Sequence, residues 1–584
     1  MKLFTERGTF ALPSDFSFEI ERTNPIFSDE GSGTLPFTLP PTKDNLLVAD
    51  NPEALARKYA IENDYECVLQ HGDYQVRGRL VVSSVSKEGI SGSIILFESG
   101  LYKEYKDASL KNIFGTDVYI YNSTVDTLCQ LLQHNNESTI SKPEDDDYRP
   151  EELAVFPVVG MFAETYRLWL NGRIDTSDEG GISYGDFEYA ARSIKVGEDT
   201  YNVPKGYGIT AFPYLAYILE ELFKRMYYTV VRNDFRKQPF YNIVLINNVA
   251  DAICAGKLYY KDMVPDMNVS DFLEWLYNKF GAVVTVSGKE VSIVILACVL
   301  DSPFDIDLTE FADDDESISI PEVSSVSISL DTSLDTAEPV DDTYDNAVHT
   351  VGNFTTVANY NLVKDTGIYY YVQNLGKFYY KGTDGTIKIT SEAFNFNGGY
   401  SWNIQTESLK TDDLYTPMYP LNNYKPSKAT PFVGPVTHYH TAIKDSEEEE
   451  EINHPLMICW AYYSGGLRCG TVCGYDANGN RLTYGPDDLP LPALSPTGLY
   501  TLCWQKYNDM LVNTAQEISV TVHLPYSMLK DLDLSIPKRY KGHKVLIKSI
   551  SYTLSDAGVA YGQAKLQLIP EYVYSFNKTP YFPY

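Results

Sequence analysis

Two cysteines and two histidines are the residue types in this chain that best suit a metal site. Cys469 and Cys473 are separated by three residues, and His438 and His440 lie earlier in the sequence. Thiolate and imidazole are preferred zinc ligands, and this spacer is compatible with such a site. Because the two pairs are far apart and neither lies in a compact knuckle, positions in a structural core and a loop are favoured, and we expect no metal.

A second motif suggests nucleotide chemistry. Gly206, Gly208 and Ala211 form a G-x-G-x-x-A pattern ahead of a predicted helix, where a dinucleotide pyrophosphate would bind. However, residues 201–205 contain Pro204 in place of a buried apolar strand, and the acidic residue expected about twenty positions later is missing. We interpret the motif as a turn and a helix N-terminus, and we expect no cofactor.

Carboxylates are too abundant to identify a catalytic pair. Among 79 acidic residues some pair satisfies any spacing rule for glycoside hydrolysis, so spacing carries no information here. The sequence contains no G-x-S-x-G, no H-E-x-x-H and no Walker motif. We therefore predict no catalytic residues and no enzymatic activity.

Two acidic clusters are the candidate site residues. They are Asp313, Asp314, Asp315 and Glu316, and the unbroken run Glu447, Glu448, Glu449, Glu450 and Glu451. A solvated loop is favoured over a metal site for the second, and both are predicted to face either solvent or a channel that carries DNA. The net charge of −32 opposes binding to phosphates, but acidic walls would let DNA pass without specific binding.

Strand patterns dominate the elements that carry these residues. Alternating apolar positions predict strands in the following segments: 16–20, 35–39 (on a sheet edge, because of Pro36, Pro40 and Pro41), 74–82, 90–97, 282–286, 291–298, 318–330, 367–372 and 377–381. Apolar stripes predict helices over 124–133, capped by Ser123, over 210–228 and over 268–280, ended by Gly281. The N-terminus is not typical of a signal peptide, and the absence of long apolar runs predicts a soluble chain without a membrane span and with reduced cysteines.

Three segments together resemble the tail hub, or baseplate hub, proteins of tailed bacteriophages, of the type found in phages of Bacteroides-like gut bacteria. They read FSFEIERTNPIFSDEGSGTLPFTLPPTK, MVPDMNVSDFLEWLYNKFGAVVTVSGKEVSIVIL and LYTLCWQKYNDMLVNTAQEISVTVHLPYSMLKDLDLSIPKRYKGHKVLIKSISYTL. They cover about a fifth of the chain, and the resemblance depends on their order and spacing, not on one signature residue.

The resemblance implies a mainly β protein with α+β parts, in which two tail-tube-like β-barrel domains accompany a Tyr/Gly-rich β insertion. The first barrel would span residues 1 to about 203, and the second would combine residues 281–307 with 518–568. Three copies would present six barrels around a lumen that passes DNA during ejection. A trimer is favoured, with a hexamer or a larger ring as alternatives.

The corresponding domain prediction has five parts: 1–205, a first barrel with an exposed loop at about 135–152; 206–308, a helix and hairpin region; 309–346, an acidic linker; 347–514, the insertion; and 515–584, the closing strands of the second barrel and an aromatic tail. The implied role is structural, in the virion tail, after assembly in the host cytoplasm. Implied partners are other copies of the chain and tail-tube, collar or fibre proteins; a ring or collar protein of a short tail is a related alternative.

The 47 tyrosines support a rival interpretation. Tyrosine provides a large contact area at low entropy cost in protein interfaces and also in sugar-binding platforms. The alternative function is therefore a glycan-binding or glycan-degrading protein, with Tyr360, Tyr369, Tyr370 and Trp402 as the platform.

Overall fold

A computed structural model of the 584-residue chain is predominantly β, with some helices. It describes residues 1–27, 33–53, 64–72, 74–96, 105, 107–120, 124–140, 152–156, 158–162, 166–171, 173–174, 182–183, 189–196, 199–287, 289–319, 323–330, 368–372, 377–381, 387–389, 394–397, 405–411, 435–436, 454–464, 467–471, 482–492, 494, 499–507, 510, 516–530, 532–554 and 559–569.

The strands are β1 Lys2–Thr5, β2 Gly8–Phe10, β3 Phe18–Thr23, β4 Gly33–Thr34, β5 Phe37–Leu39, β6 Asp64–His71, β7 Tyr74–Val85, β8 Ile90–Leu96, β9 Val118–Ile120, β10 Leu153–Ala154, β11 Val158–Phe162, β12 Tyr166–Leu170, β13 Arg173–Ile174, β14 Ile182–Ser183, β15 Arg192–Val196, β16 Asp199–Val203, β17 Phe212–Pro213, β18 Thr229–Asn233, β19 Ile243–Ile246, β20 Leu258–Tyr259, β21 Ala282–Ser287, β22 Glu290–Ile295, β23 Ser317–Ser319, β24 Val323–Leu330, β25 Ile368–Val372, β26 Lys377–Lys381, β27 Ile387–Ile389, β28 Phe394–Asn397, β29 Gln405–Thr411, β30 Pro435–Val436, β31 Met457–Ser464, β32 Leu467–Thr471, β33 Thr483–Tyr484, β34 Leu489–Pro490, β35 Glu517–Pro525, β36 Lys538–Tyr540, β37 His543–Leu554 and β38 Val559–Leu568. The α-helices are α1 Lys43–Val48, α2 Leu110–Phe114, α3 Val125–Ile140, α4 Leu215–Arg225, α5 Val269–Phe280, α6 Leu296–Asp301 and α7 Tyr526–Lys530. Short 3₁₀ segments cover Asp234–Arg236, Phe240–Asn242, Tyr260–Asp262 and Leu308–Phe311, and a π-helical turn covers Tyr500–Trp504.

The largest sheet joins the two ends of the chain. Its thirteen strands follow the order β2-β1-β6-β7-β8-β4-β3-β37-β38-β35-β23, with β5 paired to β8 and β36 paired to β37. Strands β3 and β37 pair antiparallel from Phe18 opposite Leu554 to Thr23 opposite Ser549. Within the described part of the chain this path has two ends, β2 and β23, so the strands do not close into a ring.

This pairing differs from the predicted partition into two barrels. The strands expected to close a second barrel, β35, β37 and β38, extend the N-terminal sheet instead, while β21 and β22 form a separate three-stranded sheet with β18. The physical reason is a shared core. Ile20 of β3 and Val520 of β35 are both buried in one apolar cluster under the large sheet, and joining the strands in one sheet removes this common apolar face from water.

A second core packs around helices α4 and α5. Helix α5 ends at Gly281, which has a left-handed φ of 61° as its C-terminal cap, so the predicted stop is confirmed. Helix α4 begins at Leu215, later than predicted, because Phe212–Pro213 pairs with β10 before the helix starts. Residues 296–301 are helical, whereas the hairpin was expected to continue to 298.

Two further boundaries depart from expectation. Helix α3 continues to Ile140, so the predicted loop does not begin at residue 135. The side chain of Thr124 accepts a hydrogen bond from the amide of Thr127 at 3.2 Å, which makes Thr124 the cap; the proposed cap, Ser123, lies outside the described residues. The expected single strand over 318–330 is two strands, β23 and β24, in different sheets.

Candidate functional site

The acidic segment predicted from sequence forms an edge of the large sheet. Strand β23 pairs antiparallel with β35, with Ser317 opposite Ser519. Just before it, the amide of Asp313 donates to the carbonyl oxygen of Thr521 at 2.9 Å. The segment is therefore fixed by main-chain hydrogen bonds as the last strand of the sheet, and is not a free linker in this part.

The four carboxylates of this cluster contact groups on neighbouring strands. Asp315 accepts hydrogen bonds from the amide of Thr521 at 3.0 Å and from its hydroxyl. Glu316 accepts from the Tyr540 hydroxyl and from Lys541 Nζ, the latter at 2.6 Å. The Asp314 carboxylate is 3.7 Å from Lys541 Nζ with its side chain fully exposed, and Asp313 is 3.6 Å from His523 Nδ1.

Two acidic residues upstream continue this pattern. Both carboxylate oxygens of Asp305 are 2.7 Å from Lys538 Nζ, which also donates to the carbonyl oxygen of Asp533 at 2.8 Å. The Asp307 carboxylate is 4.0 Å from Arg539 Nε, and the backbones of these two residues form a parallel β-bridge. We call residues 305–316 the acidic strap and residues 538–541 the basic strand. The strap thus joins the helical core to the sheet through opposite charges.

These contacts alter the pKa values of the ionisable groups. The hydrogen bonds from Thr521 hold the pKa of the Asp315 carboxyl below its usual range, and Lys541 and Tyr540 do the same for Glu316. The pKa values of the groups that donate to Glu316 are raised. Glu316 raises the pKa of Lys541, and burial together with the hydrogen bond to Glu316 raises the pKa of Tyr540 to about 12. The carboxylates of Asp315 and Glu316 are therefore ionised at neutral pH.

Acid is expected to loosen the strap. Folding lowers the pKa values of Asp315 and Glu316, so the ionised carboxylates stabilise the folded chain. This stabilisation is complete above the ordinary carboxyl pKa of about 4, and it is lost as the pH falls through the lowered pKa values of the folded chain. Hydrogen-exchange protection of the β23 amides, corrected for the intrinsic rate, should fall below about pH 4. In Glu316→Gln this acid-induced loss should be smaller, whereas Glu310→Gln should leave it unchanged; equal loss in all three proteins contradicts the role of Glu316.

The glycine motif lies at a turn whose amides are used within the fold. Gly206 and Gly208 both have φ of +87°. Their amides donate to the carbonyl oxygens of Tyr189 and Ala250 at 2.7 and 2.6 Å. A short strand also separates the motif from helix α4, so these amides are not presented to a phosphate at a helix N-terminus.

The remaining predicted residues are only partly covered. Cys469 lies in β32, opposite Tyr462, and Tyr369 and Tyr370 lie in β25, the first strand of the expected tyrosine-rich hairpin. Those outside the described residues are Cys473, His438, His440, Tyr360, Trp402 and Glu447, Glu448, Glu449, Glu450 and Glu451. In the described part of the chain no group of three or more His, Cys, Asp and Glu residues could hold a metal ion. None of the helices described is both long and apolar enough to span a membrane.

The basic strand was missed by the sequence analysis. Its signal was present, since Lys538, Arg539 and Lys541 form a dense cationic run in an acidic chain. The sequence does not show that this run pairs with a segment more than two hundred residues earlier, as Lys538 does with Asp305.

Comparisons with known proteins return tail proteins among solved structures. No family model matches the sequence, and no curated protein matches it. The 43 kDa tail protein of prophage MuSo2 from Shewanella oneidensis aligns with a TM-score of 0.33 and 8% identity, over 97% of this chain and 98% of that chain. Prophage tail protein gp18 from Listeria monocytogenes EGD-e gives 0.31 and 8%, over 96% and 93%. The tail protein from Neisseria meningitidis MC58 gives 0.30 and 7%, over 97% and 95%.

Proposed function

We propose that this chain is a structural protein of a bacteriophage tail, at the hub or baseplate, and that copies of it form a ring around a lumen that conducts DNA. The observation that carries the proposal is the pairing of β3 with β37. These strands belong to the first and third segments that resemble hub proteins, and they lie side by side in one sheet. Two of the three segments that carry the resemblance thus form one spatial unit.

The ends of the large sheet support assembly through strand addition. Among the described strands, β2 pairs only with β1 and β23 only with β35. Ile318, in the centre of β23, is 61% exposed, and an exposed edge strand can accept a strand from another chain. In the proposed ring the β23 edge contacts a neighbouring copy.

The charge of the chain supports passage of DNA rather than its capture. The net charge is −32, and on the sheet edge the Asp314 carboxylate is fully exposed. Like charges repel a polyanion, which would keep it from adhering to a wall. We also propose that the two acidic clusters face the lumen. The proposed neighbours are tail-tube, collar or fibre proteins, and the proposed location is the virion. No catalytic role is proposed.

Replacing Ile318 with lysine tests the assembly surface. A charge on an edge strand opposes pairing with another chain, so Ile318→Lys should abolish rings while leaving the subunit folded. Sedimentation velocity of the purified protein, alone and with a tail-tube partner, provides the measurement. Leu47→Lys is the matched control, since Leu47 is 58% exposed on α1 outside the sheet edge.

A wild-type protein that remains monomeric with the tail-tube partner contradicts the proposal, as does an Ile318→Lys variant that assembles normally. The glycan alternative is tested in the same preparation by screening host polysaccharides. A monomer that binds or cleaves one of them would favour the alternative function.

A further inference from the structure

The proposed ring needs a second contact surface on each copy, different from the β23 edge. A ring of three or more copies around one rotation axis is built from heterologous contacts, in which one patch of a chain meets a different patch of the next. Near the β23 edge, residues 305–316 contain seven acidic residues and no basic one. The receiving surface must therefore suit both the exposed Ile318 and a cluster of carboxylates.

Strand β18 presents an exposed apolar strip. Among the described strands it pairs only with β22, so its other edge carries no described strand. Val231 is 55% exposed, Tyr227, just before the strand, is 79% exposed, and Thr229 between them is exposed. We call Tyr227, Thr229 and Val231 the β18 strip. Val231 also lines an open cleft of about 560 Å³ together with residues of β3 and β7, so there is room beside the strip for another chain.

The backbone at Tyr227 is strained. Its φ is 63°, and the amide of Tyr228 donates to the carbonyl oxygen of Phe223 at 2.9 Å, which closes helix α4 at a left-handed residue. Glycine is the usual residue at such a position, because a Cβ disfavours this φ. A mostly exposed ring adds little to the core, so the strained position and the exposed tyrosine together indicate a contact with another molecule.

The surroundings of the strip are rich in cations. Residues 224–237 contain five basic residues and one acidic residue in a chain of net charge −32. The side chain of Lys224 is 73% exposed and that of its partner Glu221 is 13% exposed. Lys237 is half-exposed, whereas its partner Asp234 is fully buried. The arginines of the segment also form ion pairs within the chain: Arg225 with Glu221 and Asp117, Arg232 with Asp234, and Arg236 with Glu220. The two lysines therefore present positive charge to solvent, and an acidic partner surface complements them.

The other end of the large sheet is a weaker candidate. In strand β2, Thr9 is exposed and Phe10 is buried, so the strand has no exposed apolar side chain. The turn before it holds one acidic and one basic residue, Glu6 and Arg7, and Arg7 is 3.2 Å from Asp50. This edge lacks both features that the β23 edge requires.

We propose that the β18 strip of one copy contacts the β23 edge of the next copy, with Tyr227 and Val231 packed against Ile318 and the two lysines facing the acidic strap. The contact depends on the proposed ring and specifies which surface of the neighbouring copy completes it.

Thiol cross-linking of mixed variants tests this contact. Val231→Cys protein mixed with Ile318→Cys protein, in the presence of the tail-tube partner, should give a covalent dimer with a short bismaleimide, seen as a doubled mass in denaturing electrophoresis. Neither variant alone should give this dimer, which controls for the natural cysteines. Leu47→Cys mixed with Ile318→Cys is the matched control, because Leu47 is an equally exposed apolar residue outside the strip, and it should give no dimer.

Tyr227→Gly separates assembly from folding. Glycine suits the left-handed φ, so the midpoint of urea unfolding should not fall. Loss of the ring should weaken self-association by roughly tenfold in sedimentation velocity, because tyrosine is a typical hot spot of protein interfaces. Leu47→Ala should leave self-association unchanged.

Three results would contradict the contact: rings without the Val231–Ile318 dimer, a dimer from Thr9→Cys mixed with Ile318→Cys in its place, or a Tyr227→Gly variant that assembles as well as the wild type. In each of these cases the proposed ring stands. Failure of the wild-type protein to assemble would instead contradict the ring itself, and the contact with it.

Discussion

Asp305→Ala is expected to lower the free energy of unfolding by about 3 kcal/mol. Lys538 is fully buried and its ammonium has two acceptors, the Asp305 carboxylate and the Asp533 carbonyl oxygen. Removing Asp305 leaves an uncompensated charge in a buried position, and burial already lowers the pKa of Lys538. Urea denaturation of the purified chain measures the change.

The control variants separate charge burial from simple truncation. Asp301→Ala removes an exposed partner of Lys506 and should cost less than about 1 kcal/mol. The double variant Asp305→Ala with Lys538→Met removes both charges, so it should recover most of the loss. A single variant as stable as the wild type, or a double variant no better than the single one, would show that the pair does not hold the acidic strap in place.

Trp504→Ala is expected to destabilise the chain by about 4 kcal/mol. Trp504 is fully buried, and its indole nitrogen donates to the carbonyl oxygen of Lys279, the residue before the end of helix α5, at 3.3 Å. Its ring packs edge-on against Tyr277, with centroids 5.6 Å apart. The truncation therefore opens a cavity and removes the hydrogen bond from the indole nitrogen to the Lys279 carbonyl oxygen.

Trp504→Phe separates these two effects. It retains most of the aromatic contact and loses only the hydrogen bond and part of the volume, so a loss of about 1–2 kcal/mol is expected from the same denaturation measurement. Equal losses for Trp504→Ala and Trp504→Phe would mean that packing against α5 contributes little, contrary to this interpretation.

Local elements were predictable because their signals are local. The alternation of Phe18 and Ile20 gave a strand with those residues buried, and Gly281 ended helix α5 as expected. The hairpin of β7 and β8 likewise follows from apolar alternation on both sides of a short turn. In each case the deciding contacts lie within a few residues.

Long-range pairing was not predictable from the same signals. Alternation in β37 shows that Ile550 and Tyr552 share a buried face, but it does not show that Glu21 will lie opposite Ser551. Two strands with compatible faces can join in one sheet or lie in separate ones, and the resemblance to hub proteins implied separate barrels. The structure instead unites them over one core.

The candidate sites differ in the same way. The acidic cluster at Asp313 was visible in composition, whereas its partner Lys541 became apparent only from strand neighbours.

We propose that copies of this chain close into a ring, and electron-microscopy class averages of the purified protein bound to a tail-tube partner would show it. We expect particles with rotational symmetry, threefold or higher, around an open centre, and we expect Ile318→Lys to abolish them. Class averages of a single compact subunit without a central opening would contradict it.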